Sequence, residues 1–337
     1  MSAKKSPVIM NNRYRLDRRL GAGGMAVVYE GYDLMLERSV AVKLLRQDFS
    51  SDVAFRQRFH QEAKAAANLT HPNIVTVHDY GLSLGFPFIV MEFIAGMDLK
   101  HYLKQHGRFS VQEMLKLMIQ ACAGLGYAHR AGLVHCDIKP HNMLISADQR
   151  LKLTDFGIAR AMASIHPEEQ TPYVWGSPLY FSPEQASGGS PSPASDVYSF
   201  GVVMYEMLVG QTPFQGETAA ELAHQHLDTP PIPPSMLQVD IPPALETVLL
   251  KVLSKEPCAR YRTADQLGHL LLTIVKTIDE EERTASQSQE IRGSPRQETF
   301  VNDIGPLGID WAAILLGLLT LIAVGGLVPF WIWVYYR

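Results

Sequence analysis

Two aspartates and an asparagine form a set able to handle a phosphate ester. In Val134-His135-Cys136-Asp137-Ile138-Lys139-Pro140-His141-Asn142, Asp137 and Asn142 lie five apart with Lys139 between them. Asp137 can accept the proton of an attacking hydroxyl, Asn142 can bind a metal, and Lys139 can neutralise charge building on a transferred group. Thirteen residues past Asn142 comes Asp155-Phe156-Gly157, where Asp155 can hold Mg2+ that bridges phosphates. Phosphoryl transfer needs positioning, two metal ligands and positive charge on the γ-phosphate, and these residue types supply them.

Two further segments lie upstream. Gly21-Ala22-Gly23-Gly24-Met25-Ala26-Val27-Val28 separates two expected strands. Glycines let a backbone approach a polyphosphate and aim N–H groups at it, although a Gly-rich stretch is also an ordinary hairpin turn. Ala26 stands where a third glycine would complete a G-x-G-x-x-G pattern. Val40-Ala41-Val42-Lys43 places one lysine on an apolar strand, and Glu62 follows on a helix. A Lys–Glu pair would hold the ammonium against the α- and β-phosphates.

These residues need a scaffold, and the apolar periodicity describes one. Strands are expected at Tyr14 to Leu20, Val27 to Tyr32, Ser39 to Leu45, Val75 to Tyr80 and Phe88 to Phe93, with a helix over Val53 to Asn68. From Leu99 the pattern turns helical. Ser110 and Glu113 form a capping box ahead of Met114, Leu117, Met118, Ala121 and Leu125. Val197 to Val209 is apolar on nearly every face and predicts a central buried helix. Helices are also expected at Leu245 to Leu253 and Ala264 to Ile278. The fold class is therefore α+β, with a small β-rich lobe over 14–93 and a larger helical lobe over 94–278, following a short tail at 1–13.

The remaining chain reads differently. Residues 279–310 lose periodicity and read as a flexible linker rich in Glu, Arg, Ser and Gln. From Trp311 to Tyr336 no charged residue occurs, and as a helix this run spans roughly 39 Å at about 1.5 Å per residue. A transmembrane helix over 311–336 is the expectation, with a buried core helix as the alternative. Trp331, Trp333, Tyr335 and Tyr336 gather at one end as an interfacial belt would. Only Arg337 follows, so no outside domain is expected. A net charge of −4 and pI near 6.3 leave no basic stripe for nucleic acid. Cys122, Cys136 and Cys258 are scattered, as in a reduced compartment, and His129, His135 and His141 at six-residue spacing do not suit a metal on one helix face.

The ordered motifs across about residues 14 to 275 resemble the protein-kinase signature set, and most closely the bacterial branch of the eukaryotic-like Ser/Thr kinases. That resemblance implies a bilobal kinase fold with ATP and Mg2+ (or Mn2+) in the interlobe cleft. ATP would be walled by Leu20, the glycine loop through Ala26, Val28 and Ala41. Met91 would be the gatekeeper, and backbone groups of Glu92 and Ile94 would bond adenine. Lys43, Glu62, Asp137 and Lys139 would be catalytic, with Asn142 and Asp155 on metal. Ser182-Pro183-Glu184 stands for the family's Ala-Pro-Glu, with Glu184 paired to Arg260 and Asp196 bracing the catalytic loop. Lys139 with Ser177-Pro178 resembles the Ser/Thr rather than the tyrosine branch.

The implied activity is ATP-dependent phosphorylation of protein Ser and Thr, self included, by a single-pass membrane kinase facing the cytoplasm. Protein substrates and a homodimer are the implied partners. A membrane-anchored pseudokinase scaffold is the alternative, but no chemical group is missing. A small-molecule phosphotransferase fits poorly with the Ser177-Pro178 and Ser182-Pro183-Glu184 segments. One departure stands out: His135-Cys136-Asp137 replaces the family's His-Arg-Asp. The missing arginine normally reads a phosphate on the activation loop, where Ser164, Thr171, Tyr173 and Ser177 are the candidate sites. Cys136 is either a buried inert thiol or a redox-sensitive one.

Overall fold

A computed structural model describes residues 7–50, 52–156, 178–237, 240–293 and 311–337. The chain divides into two units, Met1–Asp279 and Glu280–Arg337, each taken by itself.

The first unit begins with strands β1 (Val8–Met10), β2 (Tyr14–Ala22), β3 (Ala26–Asp33) and β4 (Arg38–Leu45). A single turn, α1 (Gln47–Ser50), leads into helix α2 (Val53–Ala67), followed by β5 (Val77–Ser83) and β6 (Phe86–Glu92). The six strands form one antiparallel sheet in the order β1-β2-β3-β4-β6-β5. β1 lies within the expected N-terminal tail, where three residues are too few to show alternation.

Period-two alternation places Lys43. Val40 and Val42 turn to one face, where they pack with Met10, Tyr14, Phe88 and Val90. Ala26, Leu45 and Ile89 turn to the other and receive Phe59 and Ala63 of α2. Lys43, one residue from Val42, therefore lies on the α2 face. Gly31 has a packing reason as well: a Cβ there would sit 2.6 Å from the Arg15 carbonyl oxygen on the neighbouring strand.

The helical lobe contains β7 (Gly96–Asp98), α3 (Leu99–His106), α4 (Val111–Arg130), β8 (Met143–Ser146) and β9 (Leu151–Leu153). After the undescribed 157–177 come α5 (Pro183–Ala186), α6 (Pro193–Val209), α7 (Ala219–Asp228), α8 (Pro243–Val252) and α9 (Ala264–Gly293). The Ser110–Glu113 capping box forms as expected, with both reciprocal bonds at the α4 N-terminus. α6 is buried at every position from Ala194 to Leu208. Gly201 lets it approach α8, because a Cβ there would meet Val252 Cγ1 at 2.4 Å. The helix stops at Gly210, whose φ of 89° is left-handed and whose N–H donates to the Glu206 carbonyl at 2.8 Å.

α9 runs through Gly293, past the Ile278 boundary expected from apolar periodicity. Glu, Arg, Gln and Ala in that extension are adequate helix formers, and no Gly or Pro interrupts them before Gly293. In the second unit, α10 (Trp311–Tyr335) occupies the run where a membrane span is expected. Its described side chains are those of 312–322 and 332–335. Among the described residues, no helix is long and apolar enough to cross a membrane.

Candidate active site

The β8–β9 hairpin sets the spacing of the two expected metal ligands. Met143 pairs with Leu153, and the next rung is the Thr154 N–H donating to the Asn142 carbonyl at 3.0 Å. Asn142 and Asp155 thus emerge side by side from the open end of one hairpin, although they lie thirteen positions apart in sequence.

Asp196, in the first turn of α6, holds the segment that carries Asp137. Its carboxylate accepts from the backbone N–H of His135 at 2.7 Å and of Cys136 at 2.8 Å, and contacts His129 Nε2 at 2.9 Å. Cys136 has φ of 65°, a left-handed conformation that costs about 1–3 kcal/mol for a non-glycine residue. Two charge-assisted bonds to a buried carboxylate offset that cost. The bend aims Asp137 away from the core while His135 stays buried, with its Nε2 3.0 Å from the Thr154 carbonyl and its ring 4.6 Å from that of Phe156. Gln185 of α5 adds a bond from Nε2 to the Cys136 carbonyl at 2.8 Å.

Asp137 is surrounded by donors. Lys139 Nζ reaches its two oxygens at 3.0 and 2.7 Å, and Asn142 Nδ2 reaches Oδ2 at 3.0 Å and the main-chain carbonyl at 2.8 Å. The Asn142 amide nitrogen is thereby committed, which leaves its carbonyl oxygen on the opposite side as a donor for a hard cation. Asp155, also left-handed at φ 62°, pairs with Lys43 Nζ at 2.8 Å. Burial pushes the Asp155 carboxyl up, but the Lys43 ammonium outweighs it and holds the group below the ordinary carboxylate range. Two oxygen donors are what Mg2+ takes from protein when phosphates complete its shell. Glu62 lies on α2, but its side chain is outside the described residues, as is Gly157.

Above these groups opens a cleft of about 650 Å³. Leu20, Gly21, Val28, Ala41, Met91, Glu92 and Ile94 all line it, and Asp155 lies on its floor. The β2–β3 turn is closed by the Gly23 N–H donating to the Ala26 carbonyl at 2.8 Å. A Cβ added at Gly21 or Gly24 would meet nothing within 4 Å, so the protein's own packing does not require glycine there. The open face fits a close-lying polyphosphate. Glu92 donates its N–H to the Thr76 carbonyl at 2.9 Å, and its carboxylate pairs with Lys152 at 2.9 Å. Behind Met91 a small cavity of about 20 Å³ lies between Lys43, Ala63 and Phe156.

Below the cleft, Ser182 caps α5 and Glu184 forms a two-pronged ion pair with Arg260, at 2.8 and 2.9 Å. Ser195 Oγ also donates to Glu184, at 2.6 Å. Burial pushes the Glu184 carboxyl up, but the Arg260 and Ser195 bonds outweigh it and hold it low. Ser164, Thr171, Tyr173 and Ser177 lie outside the described residues. Sequence reasoning missed Gln185, His129 as a partner of Asp196, and the Tyr180–Glu206 bond of 2.7 Å that fixes the adjoining turn. Each depends on a long-range contact; only the Ser182–Gln185 capping spacing was readable in advance.

A two-lobed body with a nucleotide-sized cleft above a lysine, two aspartates and an asparagine defines the protein kinase class. The protein kinase domain family matches residues 14–272, and the chain belongs to that family. The serine/threonine-protein kinase PknB of Mycobacterium leprae is 43% identical over 273 residues, which cover 80% of this chain and 44% of PknB. The serine/threonine-protein kinase PrkC of Bacillus subtilis is 42% identical over 258 residues, 77% of this chain and 40% of PrkC. The chain therefore spans less than half the length of these curated relatives. Among solved structures, the PknI kinase domain of Mycobacterium tuberculosis superposes with a TM-score of 0.63 at 27% identity, over 79% of this chain and 96% of that one.

Proposed function

We propose that this chain is a serine/threonine protein kinase that moves the γ-phosphoryl group of ATP onto protein hydroxyls, its own included. The observation that carries this reading is the Asp137–Lys139–Asn142 cluster beside the Lys43–Asp155 pair on the cleft floor. Asp137 takes the proton from the acceptor hydroxyl as its oxygen bonds to the γ-phosphorus, and the bond from that phosphorus to the β–γ bridging oxygen breaks, releasing ADP. Lys139 neutralises charge on the moving phosphoryl group, and Lys43 orients the α- and β-phosphates. A divalent cation held by Asp155 and Asn142 would supply further positive charge against the phosphate oxygens.

The test is incubation of the full chain in detergent with γ-labelled ATP, Mg2+ and casein, beside Asp137→Asn. Label in the parent alone supports the reading, and its position separates Ser and Thr from Tyr. No label in either, with the protein folded and ATP bound, favours the scaffold alternative.

Loop phosphorylation should matter little. Cys136, in the arginine's place, is buried and cannot grip a phosphate as a guanidinium does. Thr171→Ala is expected to keep kcat within about threefold of the parent, measured after both have been preincubated with ATP and Mg2+. Abolished activity in a folded Thr171→Ala protein would refute this.

The kinase reading also includes a membrane tether through 311–336, with the catalytic unit facing the ATP-containing cytoplasm. Support comes from the uncharged run and from exposed Leu315, Leu316, Leu318, Leu321 and Ile322 on α10. Two copies held in one bilayer would meet at raised effective concentration, which favours a homodimer and transfer between copies. The full chain should float with lipid vesicles at high salt, and Leu316→Arg with Leu321→Arg should shift it to the aqueous fraction, at about 2.5–3.5 kcal/mol per charge. Equal flotation of both proteins would remove the tether.

A further inference from the structure

α7 carries an imidazole that the transfer chemistry does not use. His226 is fully buried, and its Nε2 is the one buried side-chain nitrogen or oxygen among the described residues with no hydrogen-bond partner. Its Nδ1 lies 3.0 Å from the Tyr198 hydroxyl on α6. The ring stands edge-on to Tyr198 and Phe214, with centroids 5.7 and 5.0 Å away. Burial and the nearby Lys255 ammonium push its pKa down to about 4, so at pH 7 the ring is neutral and holds one proton. Lys255 is kept in place by the Gln225 and His226 carbonyls, at 2.9 and 2.8 Å.

With the Tyr198 O–H donated to Nδ1, the ring proton belongs on Nε2. The backbone carbonyls of Leu179 and Pro178 lie near enough to favour a proton on the ring, yet neither closes a bond of hydrogen-bonding geometry. These carbonyls open the one-turn segment Pro178–Tyr180, which follows directly on Ser177. The far end of that turn is fastened to α6: Ser199 Oγ donates to the Tyr180 carbonyl at 2.7 Å, and the Tyr180 hydroxyl donates to Glu206. The near end has this unspent donor against it. A buried donor without an acceptor is costly, so any state of the turn that brings a carbonyl onto Nε2 is favoured.

We propose that His226 is a positioning residue for the protein acceptor: its Nε2–H engages the Pro178–Leu179 carbonyls and holds the turn in the form that receives the acceptor chain. This rests on the kinase reading above. His226 contacts no reacting atom, so its effect falls on acceptor binding and not on nucleotide binding.

The test compares the full-length parent in detergent with His226→Phe and His226→Gln. Phenylalanine keeps the ring and removes both nitrogens, while glutamine restores a side-chain N–H donor. Amide hydrogen exchange over residues 178–186 should be about tenfold faster in His226→Phe and near parental in His226→Gln. With casein as acceptor, KM for casein should rise about tenfold in His226→Phe, KM for ATP should stay within about twofold, and glutamine should recover most of the loss. Equal exchange in all three proteins overturns the proposal, as does an equal rise in both KM values. A parent that transfers nothing to casein or to itself sinks the kinase reading, and the exchange comparison then decides by itself whether His226 holds the turn.

Discussion

Asp137→Asn is expected to lower kcat by about 10²- to 10⁴-fold and to leave ATP affinity within about twofold. The substitution keeps the shape of the side chain but removes its capacity to take a proton. Its amide oxygen can still take the Oδ2 position, where Lys139 Nζ at 2.7 Å and Asn142 Nδ2 at 3.0 Å converge, while the N–H₂ replaces Oδ1 and removes the second Lys139 bond of 3.0 Å. Asp155 and Lys43 are untouched, and with them the contacts proposed for the triphosphate. Label transfer to casein and to the chain itself reads kcat, a fluorescent nucleotide reads affinity, and a melting curve shows that the variant is folded. Activity within tenfold of the parent would place the proton acceptor elsewhere.

The residues of this site were legible because chemistry restricts their type. An acceptor of protons, a cation for the phosphoryl group and oxygen ligands for a metal leave few alternatives at Asp137, Lys139, Asn142 and Asp155. α6 was legible for a different reason: a helix apolar all round can only be central. Features set by contacts across the fold were not. The left-handed conformation of Cys136 carries no sequence mark, since cysteine has no preference for that region, and that of Asp155 carries only the weak preference of aspartate. α7 escaped notice because only Leu222 and His226 on it are buried, too short a stripe to show a period. His226 itself looks like any polar helix residue, and only the packing of Tyr198 and Phe214 around it shows otherwise.

Arg260→Met is expected to destabilise the first unit by about 3–5 kcal/mol, the cost of stranding a partner of a buried ion pair. The Arg260 side chain is fully buried and Glu184 is only 15% exposed, so water cannot replace the lost guanidinium. The damage reaches further than the pair. Arg260 also donates to the carbonyls of Ser254, Ala194 and Lys255, at 2.7, 3.0 and 2.7 Å, and all three bonds are lost with it. Arg260→Met with Glu184→Met should recover only the part due to the unpaired carboxylate, and not the part due to the three lost bonds to carbonyls. Urea midpoints for the parent, both single variants and the double variant give that division directly. The single variant should also raise KM for casein, because Glu184 adjoins Gln185, whose bond to the Cys136 carbonyl ties this segment to Asp137. A loss below about 1 kcal/mol would show that solvent reaches the pair after all, as it does in exposed ion pairs.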